Sequence, residues 1–480
     1  MLNSTTKDDP SAGIFSRAYL PLTIVNILVV ISHAINGYVT AVIAPSVVID
    51  LGNPELMFWL FALFQVGSIC AGVVAGNFKL RFGTRRIFVT ASILLAAGSI
   101  MGGMANSLTV VILARGIQGL SEGMLISLVY VALADHLPKR LLPRMMALSS
   151  TLWSIAAAVT PAFAGSLTQF VSWRAAFLFN VPLVLVLIAL ALFYLPRSEQ
   201  VDQNPKPIPF KRLVLLLSAL LTFGFAGQIQ NPALLLLIIA ISTIQLIAFA
   251  SFDQRAEERF MPPNLFSPRT NMGLCFIILL CFSLGSSANN IYMVALIQSI
   301  WGLSPLAAGY TVALVAFSWT IFAWISNRIE DEHKKLLSVR LGAASIFIGY
   351  NICAFGLYAN NLLIVCFSLI LVGAGFGSSS PLVRQIIMTQ SPEEHKSIAS
   401  GAMAPIQFTG AVIGAALAGF AAITFGLFDG SASGQVFTKD AATYSGSTML
   451  VAFAGFAALT LLASLALKLE SKDRIASAAQ

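Results

Sequence analysis

Runs without a single Lys, Arg, Asp or Glu recur along this chain at lengths that fit a lipid bilayer. Such runs separate Arg17 from Asp50, Glu55 from Lys79, Arg86 from Arg115, Arg144 from Arg174 and Arg174 from Arg197. Each holds one helix of about 20 residues, the length needed to cross the hydrocarbon core. Three longer runs, Arg212 to Asp253, Arg269 to Arg328 and Arg340 to Arg384, hold two helices each, with turn residues at 228–232, 301–305 and 358–361. Lys396 to Asp429 and Asp440 to Lys468 supply the last two. With the stretch between Arg115 and Asp135 counted, the expected fold class is all-α integral membrane, with about fourteen transmembrane helices.

Composition excludes a soluble alternative. The 480 residues are 57% hydrophobic and 10% charged, with a mean hydropathy of +0.85, whereas soluble domains carry roughly 25% charged residues. Lys and Arg collect in loops that fall on one side of the membrane: Lys79 to Arg86, Lys139 to Arg144, Arg255 to Arg269 and Arg328 to Arg340. Arg115 lies within a span, Arg174 and Lys439 lie opposite, and Arg384 stands at or within helix twelve. Because cytoplasmic loops retain positive charge, both termini are expected in the cytoplasm and the chain in a plasma membrane, a bacterial inner membrane. The net charge of +8 then reads as insertion signal, and no nucleic-acid partner is expected. Lys7 and Arg17 precede an apolar run that lacks a small-residue cleavage site and continues past His33 and Asn36, so a retained first helix is expected. The five cysteines lie in predicted spans without metal-ligand spacing, which implies packing roles and neither metal nor cofactor.

Gly119, Gly123, Pro138 and Gly165 recur as Gly373, Gly377, Pro392 and Gly419, each pair 254 residues apart. This periodicity points to duplicated six-helix halves. The expected organisation is a tail over 1–17, a six-helix bundle over 18–197, a linker with two inserted helices over 198–268, a second bundle over 269–468 and a tail over 469–480. Gly373, Gly375 and Gly377 follow no strand pattern and read as close helix packing rather than dinucleotide binding. No Gly-Lys pair occurs, so a standard nucleotide-binding loop is excluded.

Among 20 acidic residues only Glu122 falls deep within a span. At 100° per residue Arg115, Gln118 and Glu122 project at about 0°, 300° and 340°, one face of helix four. An unpaired charge there would cost several kcal/mol, so the face should meet a watery cavity or a partner helix. His33 and Asn36, three residues apart on helix one, can share a face as a second polar patch. Two readings stand for these residues: a proton and solute pathway, or a purely structural network. Tyr38, Phe64, Trp153, Tyr292, Trp319 and Phe408 could stack on a lipophilic solute, but each also reads as packing. No catalytic cluster emerges from four histidines, and no enzymatic activity is expected.

Several segments resemble the major facilitator superfamily and, within it, the fourteen-span drug:proton antiporters; the resemblance covers nearly the whole chain. The loop Gly76-Asn77-Phe78-Lys79-Leu80-Arg81-Phe82-Gly83-Thr84-Arg85-Arg86 is similar to the superfamily's gating signature of glycine, acidic residue, arginine, glycine and a basic pair. Leu80 occupies its acidic position. Arg115-Gly116-Ile117-Gln118-Gly119 matches the family's helix-four motif, and Thr160-Pro161-Ala162-Phe163-Ala164-Gly165 stands where antiporters carry a glycine-proline pair followed by glycines. Ser172-Trp173-Arg174 and Asn180-Val181-Pro182 resemble the start of helix six, and Ala44-Pro45 followed by Asp50-Leu51 resembles the end of helix one. Asn36 stands nine residues before Pro45, where these antiporters commonly place aspartate.

The resemblance implies alternating-access export of lipophilic or cationic organic compounds, of the multidrug type, with protons as the coupling partner. Glu122, Arg115, Gln118, Asn36 and His33 are the expected proton and solute cavity. Gly76, Arg81, Gly83, Arg85, Arg86, Pro161 and Gly165 are the expected gating residues. With Asn36 and Leu80 at acidic positions, Glu122 becomes the main proton-responsive group. Other readings are transport of a different organic solute, including uptake of an anion drawn by Arg115, and more remotely a sensor or a membrane enzyme. Oligomeric state is not read from the sequence.

Overall fold

The computed structural model describes residues 13–138, 140–195, 210–229, 231–256, 259, 261–262, 265–390, 396–429 and 436–468. Most of the expected tails, the linker residues 198–209 and Pro392 of the repeat lie outside them. Among the described residues the chain is helical, without strands. This is what hydrocarbon demands of a chain, because a helix satisfies its backbone groups internally.

The chain divides into two compact units, 1–217 with 304–309 and 218–303 with 310–480. The first contains α1 (Leu20–Leu51), α2 (Trp59–Phe82), α3 (Thr84–Gly103), α4 (Leu108–His136), α5 (Leu142–Phe170), α6 (Trp173–Leu178) and α7 (Asn180–Tyr194). α8 (Phe210–Ala226) spans the boundary. α9 (Pro232–Gln254), α10 (Asn271–Trp301), α11 (Pro305–Ser326), α12 (Glu332–Tyr358), α13 (Leu362–Gln390), α14 (Lys396–Thr424) and α15 (Lys439–Ala466) follow. Thirteen segments among the described residues are long and apolar enough to cross a membrane, with α6 and α7 forming one of them. α8, at 17 residues, completes the expected fourteen.

Local chemistry sets the helix ends. Ser107, Asn231, Thr270, Asp331 and Thr438 each accept a backbone N–H with their side chains at the start of α4, α9, α10, α12 and α15. Gly83, with φ +81°, closes α2 in a conformation that a side chain would strain, and α3 begins at the next residue. The expected sixth span is broken between Leu178 and Asn180. Pro182 explains the break: it has no N–H to offer the Leu178 carbonyl four residues earlier.

The repeat is visible in the helices themselves. α4 and α13 begin 254 residues apart and end 254 apart, and so do α5 and α14. Their glycines make equivalent contacts. A Cβ on Gly119 or Gly123 would overlap the Phe64 or Ser68 carbonyl of α2, and one on Gly373 or Gly377 would overlap the Val315 or Trp319 carbonyl of α11. Glycine is therefore required where these backbones touch.

Core residues of the first unit include Val25 and Val29 of α1, Leu95 of α3, Leu125 of α4 and Leu187 of α7. In the second, Phe276 and Leu279 of α10 pack with Tyr350 of α12 and Ile387 of α13. Large apolar side chains such as Phe193, Leu236 and Leu363 stay exposed, as lipid contact allows. Among these thirteen segments α9 is the least covered, with 11% of its apolar stretch buried against 67% for α4. Its Ser242 hydroxyl donates to the Ala219 carbonyl of α8 at 2.9 Å.

Candidate functional site

One turn of α1 meets the polar face of α4 inside the first unit. Glu122 is 1% exposed, and three α1 side chains face its carboxylate. The Ser32 hydroxyl donates to Oε1 at 2.9 Å, the Asn36 amide donates to Oε1 at 2.6 Å, and His33 Nδ1 lies 3.0 Å from Oε2. The spacing explains the convergence: residues 32, 33 and 36 fall on one side of a helix, so a single carboxylate can serve all three. Burying a carboxylate without such partners would cost several kcal/mol.

Asn36 extends the network to a third helix. Its amide nitrogen donates to Asn180 Oδ1 at 3.0 Å, and its Oδ1 accepts from the Asn180 amide at 2.9 Å, a reciprocal pair buried between α1 and the first residue of α7. The same nitrogen lies 3.1 Å from the Ser32 carbonyl, so its two hydrogens are shared among three acceptors. Asn180 is fully buried. Sequence reading treated it only as a mark of helix six, because its partner lies 144 residues away.

Arg115 is 2% exposed and already engaged. Nε donates to the Leu60 carbonyl at 3.2 Å, one terminal nitrogen to Gln118 Oε1 at 2.9 Å, and the other to the Asn36 carbonyl at 3.1 Å. Its guanidinium also sits 4.1 Å from the Phe64 ring centroid, a cation–π contact. Gln118 turns its amide toward Ser99 Oγ, at 2.9 Å, and so ties Arg115 to α3 rather than to Glu122. Arg115 and Glu122 thus both lock onto α1, one through the Asn36 backbone and the other through side chains. Aromatic rings wall the site: His33 stacks with Phe64 at 6.0 Å and meets Trp153 edge-on at 5.6 Å, and Tyr38 meets Trp153 at 6.1 Å.

The expected gating residues stand apart from this cluster. Gly76, Arg81 and Gly83 belong to the end of α2, and Arg85 and Arg86 to the start of α3. Among the described residues Arg81, Arg85 and Arg86 make no ion pair, and the acidic position beside them is filled by the exposed Leu80. Pro161 and Gly165 lie one turn apart in α5. A separate polar knot joins the far end of α1 to α6. Arg174 donates to Asp50 at 2.7 Å and to the Ala105 carbonyl at 3.1 Å, and Trp173 Nε1 donates to Asp50 at 3.1 Å.

The repeat sets Phe376 of α13 at the place Glu122 holds in α4. Phe376 stacks on Trp319 at 5.5 Å and meets Phe282 edge-on at 5.2 Å. The second unit thus has an aromatic cluster where the first has a carboxylate. Among the described residues no three His, Cys, Asp or Glu side chains converge on a metal position.

Residues 27–415 match the family model of the Major Facilitator Superfamily. The chain is 25% identical over 355 residues to the multidrug efflux pump SdrM of Staphylococcus aureus, covering 73% of this chain and 78% of that protein. It is 27% identical over 419 residues to the probable multidrug-efflux transporter Rv1634 of Mycobacterium tuberculosis, covering 84% and 87%. An uncharacterized transporter of Escherichia coli, YebQ, is 27% identical over 84% of this chain and 89% of its own length. Solved structures sharing the fold include a D-xylose-proton symporter (TM-score 0.62, 15% identity, 94% of this chain and 99% of that one). Another is a peptide transporter in complex with sulfate (TM-score 0.65, 13% identity, 96% and 98%).

Proposed function

From the premise that this chain is a membrane transporter belonging to the Major Facilitator Superfamily, we propose that it exports lipophilic organic cations in exchange for protons. Export is supported by the names of its relatives, a multidrug efflux pump (SdrM) and a probable multidrug-efflux transporter (Rv1634). The observation that carries proton exchange is the position of Glu122. Where drug antiporters commonly carry an aspartate on helix one, this chain has Asn36, and the Glu122 carboxylate reaches across from α4 to within 2.6 Å of its amide. The negative charge is supplied from the neighbouring helix to nearly the same point. Ser32, His33 and Asn36 hold it there, Asn180 fixes the Asn36 amide, and Arg115 fixes the α1 backbone beside it.

In this reading two six-helix bundles, 18–197 and 269–468, alternate access to the solute, with α8 and α9 as an inserted pair and both termini in the cytoplasm of a bacterial cell. The α2–α3 junction from Gly76 to Arg86, together with Pro161 and Gly165, forms the gating elements. Uptake of an anion through Arg115 is disfavoured by that side chain's engagement with Leu60, Gln118, Asn36 and Phe64. The test is gradient-driven transport of ethidium, a lipophilic cation, in proteoliposomes. Glu122→Gln keeps the shape but removes the carboxylate, so it should lose accumulation driven by a pH gradient and keep ethidium counterflow. Full gradient-driven accumulation by that variant would remove Glu122 from the coupling step.

A further inference from the structure

Glu122 accepts from two donors at Oε1 and faces an imidazole nitrogen at Oε2, and this bears on which atom takes the proton. Ser32 and Asn36 both donate to Oε1. An ionised carboxylate accepts from both; a carboxylic acid with its hydrogen on that oxygen would leave a buried donor unmatched. The remaining oxygen, Oε2, faces His33 Nδ1 at 3.0 Å. An imidazole that gains a proton keeps this bond and converts it into a charge-assisted one, with no rearrangement at Oε1.

The surroundings of His33 suit a cation. It is 4% exposed, and the Phe64 ring stacks on it at 6.0 Å, within the range over which an aromatic face attracts a positive charge, while Trp153 meets it in a T-shape at 5.6 Å. Among the described residues, ionisable groups near it include Glu122 at Oε2, Arg115 on the Phe64 ring and Tyr38, which shares Trp153. α2, α5 and α7 contribute Phe64, Trp153 and Asn180 to this site, none of which is ionisable.

We propose that His33 is the seat of the coupling proton, held as an imidazolium against a Glu122 carboxylate that stays ionised throughout the cycle. The inference rests on the reading of Glu122 as the coupling carboxylate and specifies the atom. One proton arrives on the imidazole when the solute leaves, and one departs when the solute binds. The charges on Arg115, Glu122 and His33 then sum to +1 with the proton bound and to zero without it. A monovalent cation that replaces the proton restores the same charge, so such an exchange moves no net charge across the membrane, whereas exchange of a neutral solute does.

Infrared difference spectroscopy of the purified full chain tests this without any solute. The protein has four histidines, so a chain with His136, His333 and His395 replaced by glutamine leaves His33 as its one imidazole. Acidification should produce an imidazolium signal that shifts with ring-labelled histidine. It should produce no carboxylic-acid carbonyl band assignable to Glu122. A carbonyl band that Glu122→Gln removes, or an imidazole that does not change, overturns the proposal, and neither outcome requires a His33 variant to fold. In proteoliposomes His33→Gln should reduce ethidium accumulation from about tenfold per pH unit to none. Loss of coupling in Glu122→Gln but not in His33→Gln rejects the role of His33 alone, whereas coupling retained in Glu122→Gln rejects the underlying reading.

Discussion

Moving the buried carboxylate from α4 to α1 tests whether its charge or its helix of origin matters. The perturbation is the double variant Asn36→Asp with Glu122→Gln. Because Asn36 Nδ2 lies 2.6 Å from Glu122 Oε1, the exchange reverses donor and acceptor across one hydrogen bond and displaces the negative charge by roughly that bond's length, typically about 3 Å. The Asn180 amide can still donate to position 36, as it does now at 2.9 Å. One exchanged proton contributes about 1.4 kcal/mol per pH unit, or about tenfold accumulation. Ethidium accumulation under a gradient of one unit should therefore be about tenfold in the parent, near unity in Glu122→Gln, and again close to tenfold in the double variant. Asn36→Asp alone is the control: two carboxylates at that separation would repel by about 6 kcal/mol at an effective dielectric constant of 20. They cannot both be ionised, so this variant should transport poorly. If the double variant folds and performs counterflow yet stays uncoupled, the equivalence of the two positions is wrong, and the donors around Glu122 on α4 are indispensable.

Arg115→Lys should lower thermal stability in detergent, since an ammonium cannot reproduce three hydrogen bonds directed to Leu60, Gln118 and Asn36; Arg115→Ala should cost more, on the order of 3–5 kcal/mol. Gly119→Ala and Gly373→Ala should each destabilise by about 1–3 kcal/mol, because the obstruction is backbone, while Gly455→Ala, with open space around it, should not shift the melting temperature. Gln245 of α9 buries its Oε1 without a partner, so Gln245→Leu should be neutral or slightly stabilising and leave transport intact; a specific loss of transport at normal abundance would give the inserted pair a direct role. Cysteines placed at Ser4 and Ser477 in a chain lacking the native five should resist impermeant reagents in intact cells, and labelling of either would reverse the predicted orientation.

The helical architecture was legible because charge-free runs and bilayer thickness share a length scale, and the duplication because glycine is required where Phe64 and Val315 carbonyls approach α4 and α13. Glu122 stood out for the same reason, as a carboxylate with no business in hydrocarbon unless partnered. Its partners were harder to read. Gln118 shares a helix face with Arg115 and Glu122, yet its amide goes to Ser99 and Glu122 reaches α1 instead. Helical geometry gives the face a side chain occupies but not the neighbour across it. Asn180 escaped notice as a site residue for that reason, since only the folded chain brings α7 to Asn36. The break before Asn180 was written locally, in Pro182, but the apolar run across it reads as one span.

The glycine contacts shared by α4 and α13 separate spacing from chemistry. Gly119 and Gly373 touch carbonyl groups, which every residue of a neighbouring helix possesses, so the approach of the helices places no condition on the side chains of that neighbour. After a duplication, the glycines of each copy must stay while positions between them drift. Residue 122 and residue 376 each lie between such glycines, and one is an acid and the other an aromatic ring. A frame tied by backbone alone can hold a carboxylate in one copy and an aromatic ring in the other without any change in how its helices meet.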